Sequence, residues 1–277
     1  MIIKPSVTVI IPNYNKSMYL EQCIESVASQ TYRPLEILVV DDASKDNSLQ
    51  VLEGLKQKYP MLRVIPLEKN GGVSHARNTG IELASGEIIT MLDSDDFYIN
   101  PHKIENEVNA IEAYNVRDAF AYSKTVFVDE NSERMANSSN PDKDYMTGNI
   151  LKRLIKCKGL KIVPRDYCFS KKIALDPTIR YNQQMNFFED TDFLIKLAAK
   201  ADAVCTYEEG TAYRQNTNGL SNKPEIVQYR QRWKVSKRNI KLLSNPLRRL
   251  FVRIYLCVFR IRFETKLLIK NILKRRK

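Results

Sequence analysis

The sequence predicts an α/β protein whose mostly parallel central sheet is flanked by helices and followed by a basic helical tail. Over the first hundred residues, short apolar runs alternate with segments of helical spacing, which is the pattern of βαβ units joined by right-handed crossovers. Three of the four predicted strands end in a polar cluster, and basic residues are concentrated near the C-terminus. Ligands of open parallel sheets bind outside the carboxyl ends of the strands, so the polar clusters indicate where a site would lie.

Four strands and three intervening helices are predicted in this first part of the chain. The run at 7–11 is β-branched and almost continuously apolar, as expected of a parallel strand that is buried on both faces. Either Ser44 or Asp46 is expected to cap the second helix. The predicted strands cover 7–11, 35–40, 62–67 and 88–92, and the predicted helices cover 18–30, a segment ending near Tyr59, and 76–84.

The regular alternation fades beyond Pro101. Residues 129–149 are polar and predict a loop. Residues 187–199 predict a helix with acidic residues at its start.

The net charge of +12 is confined to one part of the chain. Residues 227–277 contain 17 lysines and arginines against one acidic residue, Glu264, so the remainder is slightly acidic. A pI near 9.4 would suit a nucleic-acid-binding protein, but the charge lies in a tail without interleaved stacking residues. Nucleic acid is therefore not an expected partner.

Cysteine and histidine usage argues against several kinds of site. The five cysteines are scattered and odd in number, with no Cys-x-x-Cys pair, which disfavours disulfides and a zinc site. Only His75 and His102 are available for a histidine-based metal site or triad. The N-terminus lacks the apolar segment of a signal peptide, and no apolar run reaches the roughly 18 residues of a membrane span.

Asp93 and Asp95 follow the fourth predicted strand. Mg²⁺ and Mn²⁺ prefer oxygen ligands, and two carboxylates in one turn can face a single cation. Such a cation would bridge a diphosphate and neutralise it as a leaving group. The alternative is a polar turn that caps the next helix, but the preceding series of parallel strands favours the metal.

Tyr14 and Asp42 lie just beyond the first two predicted strands. Tyr14 can stack on a nucleobase, and Asp42 can accept a hydrogen bond from a base or a ribose hydroxyl. A loop aromatic and a helix cap are the alternatives. Residues 70–72 and Arg77 offer backbone amides and a cation near a phosphate. The glycine patterns of P-loop NTPases and dinucleotide enzymes are not present.

Three acidic residues, Glu189, Asp190 and Asp192, lie within one turn of the helix predicted at 187–199. One of them can serve as a general base. The alternative is that all three only complement the positive end of the helix dipole. Glu189 and Asp190 are adjacent and point about 100° apart on a helix, so only one of the two can face a bound donor.

Five segments resemble the family 2 glycosyltransferases of the GT-A fold, and the resemblance covers about residues 5–220. Each motif is modest alone, but the set in this order is specific. The segments are 7–15 (VTVIIPNYN), 39–44 (VVDDAS), 70–78 (NGGVSHARN), 92–97 (LDSDDF) and 188–193 (FEDTDF). The resemblance implies an inverting transfer of a sugar from a nucleotide-diphosphate donor, expected to be a UDP-sugar, to a hydroxyl acceptor.

The resemblance also implies roles for seven residues. Pro12, Tyr14 and Asp42 would line the base and ribose, and Arg77 would lie on the nucleotide side. Asp93 would contact ribose or metal-bound water, and Asp95 would ligate Mn²⁺ or Mg²⁺ directly. Asp190 would be the general base. Asp95 and Asp93 are therefore the two residues expected at the metal ion. Many relatives have a histidine shortly after a Tyr-Arg pair; here Asn216 follows Tyr213 and Arg214, and it offers an amide oxygen in place of imidazole.

The expected organisation has three parts. Residues 1–100 form a nucleotide-sugar-binding half, residues 101–226 the acceptor-side half of the same domain, and residues 227–277 a basic amphipathic helical tail. A sugar-phosphate nucleotidyltransferase is an alternative, but no glycine-rich basic loop follows the first strand. A non-catalytic sugar-nucleotide-binding protein is another, against which the presence of all the expected carboxylates argues.

The tail is expected to lie on a bilayer without crossing it, because basic residues interrupt every apolar run. A helix pair packed on the body is the alternative. The apolar positions recur at spacings of three and four and are Leu247, Leu250, Phe251, Ile254, Val258, Ile261, Leu268 and Ile272. The expected location is cytoplasmic and peripheral, at an anionic inner membrane face. By family resemblance the acceptor is a lipid-linked glycan of cell-surface polysaccharide synthesis.

Overall fold

A computed structural model describes residues 4–136, 138, 145–156, 166–185, 187–215 and 224–275, with the backbone alone at 225 and 266–275. The predicted fold class is confirmed. An eight-stranded sheet has the order β3-β2-β1-β4-β7-β6-β8-β5, and helices pack on both of its faces.

The first half follows the predicted βαβ pattern. Strands β1, β2, β3 and β4 pair in parallel, so their carboxyl ends meet at one edge of the sheet. In chain order the elements are β1 (Val7–Asn13), α1 (Ser17–Ala28), β2 (Leu35–Asp41), α2 (Ser48–Lys58), β3 (Leu62–Pro66), α3 (Val73–Leu83) and β4 (Ile88–Met91).

The second half contains strands that the sequence does not predict. β7 runs antiparallel between β4 and β6, and β6 pairs in parallel with β8. The elements are β5 (Phe97–Tyr98), α4 (Lys103–Ala113), β6 (Ala119–Val128), α5 (Leu151–Lys156), β7 (Cys168–Ser170), α6 (Lys171–Ala174), α7 (Glu189–Lys200), β8 (Asp202–Arg214), α8 (Glu225–Asn239), a 3-10 turn (Ile240–Leu242) and α9 (Pro246–Arg275). Of the predicted loop at 129–149, residues 137 and 139–144 lie outside the description.

Two cores sandwich the sheet, which explains why β1 is apolar on both faces. Val9 and Ile11 pack with α1 and α2 in one core, while Ile10 packs with α3 in the other. Gly80 permits this close approach of α3, because a Cβ there would lie 2.3 Å from Cγ2 of Ile10. Helices that pack on both faces of the sheet therefore position the carboxyl ends of its parallel strands.

One carboxylate joins the starts of two helices at this edge. Asp46 accepts from the amide of Ser48, the first residue of α2, and from the amide of Ser17, the first residue of α1. The N-cap position of α2 is occupied by Asn47, so neither of the two expected caps stands there, although Asp46 does accept from the first amide of the helix. Ser44 instead donates to Asp41.

The tail helices pack on the body through one face and expose another. Val235 of α8 and Val252 and Leu256 of α9 are buried in the larger core. The exposed apolar residues of α9 are six of the eight predicted positions, Leu247, Leu250, Phe251, Ile254, Val258 and Ile261. The side chains of Leu268 and Ile272 lie outside the description. Within the described residues, no helix combines the length and apolarity that a bilayer crossing needs.

Candidate active site at the carboxyl edge of the sheet

The carboxyl ends of β1 and β2 are tied together by polar side chains. Nδ2 of Asn13 donates to Oδ1 of Asp41 over 2.7 Å, and the Ser44 hydroxyl donates to the same oxygen over 2.6 Å. Asp41 is fully buried. Asp41 is therefore occupied in holding the strand ends, and the next residue, Asp42, is the one placed toward the neighbouring loop.

Asp42 organises the glycine turn before α3. Its two carboxylate oxygens accept from the amides of Gly71 and Gly72 over 2.8 and 2.7 Å. These are amides that the sequence interpretation offered to a phosphate; in the structure they donate to Asp42. Each carboxylate oxygen can accept more than one hydrogen bond, so Asp42 retains capacity for a further donor such as a base N–H.

Pro12 and Tyr14 lie on either side of the end of β1. Pro12 is buried and is in register with Val40 of β2. Tyr14 follows the strand and is 41% exposed. Asn15 then takes a left-handed backbone conformation, with φ of 52°, and its side-chain oxygen accepts from the amide of Lys45 over 2.7 Å. An exposed ring on an anchored turn is available for stacking against a planar ligand.

A buried arginine connects the turn after β4 to the start of α7. Arg77, on α3, donates to Oδ1 of Asp93 over 2.6 Å and to Oε1 of Glu189 over 3.0 Å. Its guanidinium also lies 5.1 Å from the ring centroid of Tyr181. Burial alone would lower the pKa of Arg77, but the negative charges of Asp93 and Glu189 raise it well above its ordinary value.

The two adjacent acids of α7 have different surroundings. Burial raises the pKa of Glu189, the charge of Asp190 raises it further, and Arg77 opposes both. Asp190 lies one residue further along the first turn, where its Oδ1 accepts from the amide of Thr191 over 2.6 Å. Phe188 precedes the helix in a left-handed conformation, with φ of 62°. Glu189 is therefore bound to the arginine, and Asp190 lies next to it in the first turn of α7.

The carboxylate of Asp95 is paired with a lysine that the sequence interpretation missed. Nζ of Lys16 lies 2.7 Å from Oδ2 of Asp95. Lys16 follows the turn that contains Tyr14, so this ion pair joins the end of β1 to the turn after β4. Lys16 directly follows the first motif, but its partner is 79 residues away along the chain, so local sequence does not specify the pair.

Arg214, the last residue of β8, fixes the backbone of the same turn. Its amide donates to the Asp96 carboxylate over 2.8 Å, and its Nε donates to the carbonyl of Asp95 over 2.9 Å. Its remaining nitrogens donate to the carbonyls of Asp129 and Glu130 and to the side chains of Ser132 and Gln22. Arg214 therefore binds both a backbone carbonyl and a carboxylate of the turn that contains the expected metal ligands.

Asp93 and Asp95 are suitable for a hard divalent cation. Within the described residues, no group of three His, Cys, Asp or Glu side chains is arranged to hold a metal by itself. Mg²⁺ sites of enzymes commonly use one or two carboxylates and complete their shell with substrate phosphates and water. The ammonium of Lys16 beside Asp95 indicates that a positive charge is stabilised there, so the residues fit this kind of site. Asn216 lies outside the described residues.

The structure brings most of the predicted residues together. The end of β1, the Asp42 turn and the Asp93–Asp95 turn lie on adjacent parallel strands, and Arg77 brings Glu189, and with it the helix of Asp190, to Asp93. The sequence did not predict the contacts that Lys16 makes with Asp95, Glu189 with Arg77, and Arg214 with the turn after β4.

Known glycosyltransferases are similar to this chain in sequence. The model of the family described as glycosyl transferase family 2 matches residues 8–179. The uncharacterized glycosyltransferase EpsJ of Bacillus subtilis is 29% identical over 226 residues, which are 79% of this chain and 64% of EpsJ. Glycosyltransferase GlyG of Streptococcus pneumoniae is 42% identical over 90 residues, 32% of this chain and 30% of GlyG. The chain thus spans less than two thirds of these relatives.

Solved structures show the same fold. S. aureus TarS 1–349, in complex with UDP-GlcNAc, superposes with a TM-score of 0.70 at 21% identity, covering 92% of this chain and 71% of that one. The mannosyltransferase PcManGT from Pyrobaculum calidifontis, in complex with GDP-Man and Mn²⁺, gives a TM-score of 0.63 at 18% identity, with 92% and 70% covered. These likenesses confirm the predicted GT-A architecture.

Proposed function

Because the chain belongs to glycosyl transferase family 2, we propose that it is an inverting, metal-dependent glycosyltransferase that moves a sugar from a UDP-sugar to the hydroxyl of a lipid-linked glycan. The observation that supports this most is the Asp93–Arg77–Glu189 connection. It joins the turn with the expected metal ligands to the helix with the expected base. Donor activation and acceptor deprotonation must occur at neighbouring points in a single displacement.

The nucleotide is proposed to lie against Pro12, Tyr14 and Asp42. Tyr14 would stack on the base through its exposed ring, and Asp42 would accept from the base or ribose through its remaining lone pairs. Arg77 would lie on the nucleotide side only indirectly, since Asp93 and Glu189 already bind its guanidinium. TarS has been crystallised with UDP-GlcNAc and with UDP, which supports a uridine nucleotide as the first donor to test.

Asp95, together with Asp93, would hold Mn²⁺ or Mg²⁺ at the diphosphate. The bound ion would supply positive charge that neutralises the leaving diphosphate. Lys16 would have to leave Asp95, and its ammonium would then be free to pair with a phosphate oxygen. The Mn²⁺ in the PcManGT complex with GDP-Man supports this choice of ion.

Asp190 is proposed as the general base. Arg77 binds the neighbouring Glu189, and the resemblance to the family assigns to Asp190 the removal of the proton from the acceptor hydroxyl. Attack of that oxygen on the anomeric carbon, opposite the diphosphate, would invert its configuration. The rigid turn held by Arg214 would keep donor and acceptor aligned, which can account for a large part of the rate.

The exposed face of α9 is proposed to rest on the anionic inner surface of the cell membrane. Basic residues border the apolar stripe on both sides, among them Arg248, Arg253 and Arg262, which are exposed. Each lysine or arginine near anionic lipid contributes roughly 1 kcal/mol of attraction. A protein held in this way would meet acceptors that are anchored in the bilayer.

A donor screen tests the proposed function directly. The full-length protein is incubated with Mn²⁺ and a panel of UDP-, GDP- and dTDP-sugars, and nucleotide release is measured against the Asp95→Ala variant. We expect UDP release from at least one UDP-sugar, and none above background from the variant. Sugar-nucleotide formation from UTP and a sugar phosphate, without release from any donor, would instead identify a nucleotidyltransferase.

A further inference from the structure

A cavity of about 200 Å³ lies between α8, α9 and the residue that precedes α7. Its wall is mainly aromatic, with Phe188, Tyr229, Trp233, Phe259 and Phe263 among the lining residues. The rings of Tyr229 and Phe263 are stacked with centroids 3.8 Å apart. The cavity is therefore a preformed apolar compartment that the tail helices build against the body.

The size of the cavity limits what it can hold. An apolar cavity of about 150 Å³ holds one benzene molecule, so this one has room for a segment of roughly six to eight carbons. A complete lipid does not fit. An apolar chain could enter only with one part, and the rest would have to extend out of the protein.

One arginine gives the cavity a polar side. Arg232 lines it, and its Nε is buried without a hydrogen-bond acceptor among the described residues. A buried donor that lacks an acceptor costs free energy, and an anionic ligand at the cavity would remove this cost. An aromatic wall with one guanidinium suits an apolar chain that has a phosphate at its end.

The cavity lies between α9 and the start of α7, the helix that contains the expected base. Phe188 is two residues from Asp190, a separation of at most about 7 Å between Cα atoms. On the other side, Phe259 and Phe263 belong to the inner face of α9, whose outer face has the exposed apolar stripe. Only the width of one helix, about 10–12 Å, separates the cavity from the surface proposed to touch the bilayer.

We propose that this cavity binds the apolar chain of a phosphate-bearing, membrane-anchored acceptor, with the phosphate at Arg232 and the reacting hydroxyl toward Asp190. This assignment rests on the proposed function and specifies its acceptor. Since the cavity and Asp190 are so close along the chain, the hydroxyl that reacts lies near the lipid end of the acceptor.

The single tryptophan of the chain, Trp233, lines the cavity and reports its occupancy by fluorescence. The full-length protein is titrated with farnesyl phosphate below its micelle concentration, and in parallel with farnesol and with inorganic phosphate. We expect a saturable change in emission with farnesyl phosphate, binding of farnesol that is about tenfold weaker or more, and no change with phosphate alone. No saturable change with farnesyl phosphate would overturn the assignment.

Two matched variants test the role of the guanidinium. Arg232→Gln should weaken farnesyl phosphate binding by about tenfold or more and leave farnesol binding unchanged. Arg230→Gln removes the same charge two residues away on α8, from a side chain that is 63% exposed and pairs with Glu264, and should bind like the wild type. Equal losses in both variants, or none in Arg232→Gln, would show that the cavity does not bind the phosphate.

The outcome is separable from that of the donor screen. The fluorescence titration needs no donor and no turnover. Saturable binding without nucleotide release from any donor would contradict the enzymatic proposal alone. Nucleotide release without binding of farnesyl phosphate would contradict the cavity assignment alone.

Discussion

Replacing Arg77 by glutamine should destabilise the protein, because it removes the cation between two carboxylates. The Arg77 side chain is 7% exposed, Glu189 is 13% exposed and Asp93 is 24% exposed. Loss of one partner from a buried ion pair costs about 3–5 kcal/mol. Asp93 can recover part of its hydration, so most of the loss comes from Glu189, and we expect the free energy of unfolding to fall by about 3 kcal/mol near pH 8.

The deficit should shrink as the pH falls. The folded-state pKa of Glu189 is already raised above its ordinary value, and removing Arg77 raises it further. A carboxyl group whose pKa is raised by folding lowers the free energy of unfolding most at pH values above its folded-state pKa, where it is ionised. This penalty disappears as the pH falls toward the pKa that the group has in the unfolded state. Arg77→Gln should therefore lose more stability at pH 8 than at pH 5.

Urea unfolding at both pH values measures this difference. The double variant Arg77→Gln with Glu189→Gln should recover much of the loss at pH 8, since the buried charge is then gone. Arg134→Gln is the matched control, because Arg134 pairs with Glu209 at the surface, with side chains 52% and 38% exposed, and exposed pairs contribute about 0–1 kcal/mol. An equal deficit at pH 8 and pH 5, without recovery in the double variant, would refute the reasoning.

Three further predictions concern the ligands. Asp95→Ala should abolish nucleotide release from the UDP-sugar, and EDTA should do the same to the wild type; turnover that survives both treatments would remove the metal from the account. Tyr14→Ala should weaken UDP binding in calorimetry by about tenfold, since stacking contributes roughly 1–3 kcal/mol per base, and Asp42→Asn should also weaken it; unchanged affinity in both would place the nucleotide elsewhere. Combined Phe251→Ser and Ile254→Ser should reduce sedimentation with anionic vesicles, because these side chains are 68% and 53% exposed on α9 and would lose apolar contact with lipid. Wild-type protein that fails to sediment at low salt would contradict the membrane proposal.

The first half of the fold was predictable because its pattern is local. β1 to β4 are apolar runs that alternate with helices of clear spacing, and the observed bounds differ from the predicted ones by a few residues. The predicted helix at 187–199 begins two residues later, at Glu189, because Phe188 takes a left-handed conformation that ends any helical extension before it.

β6 and β8 were not predicted, because their burial depends on distant partners. The Lys103 ammonium beneath them is completely buried and pairs with Glu107 and Asp166. Ser123 of β6 donates to Glu107 and Thr211 of β8 donates to Asp166. Polar residues on these strands therefore point into a buried ionic cluster, which interrupts the apolar pattern by which strands are recognised in sequence.

The residue types of the site were predictable, but several of its contacts were not. The short segment that contains Asp93 and Asp95 is enough to identify them as candidate metal ligands. The bond from Arg214 to Gln22 spans 192 residues, and that from Arg77 to Glu189 spans 112. Nothing in local spacing specifies such pairs. The structure therefore adds the connections that hold the turn and that bind Glu189 to Arg77.

The most direct test of the central claim compares UDP affinity and sugar transfer in Asp190→Asn. General-base catalysis typically contributes about 10²–10⁴-fold to a rate. We predict UDP affinity close to that of the wild type by calorimetry and a transfer rate at least about 100-fold lower, with Glu189→Gln as the neighbouring control that loses less. Near-normal transfer by Asp190→Asn would contradict the assignment of Asp190 as the base and the single displacement built on it.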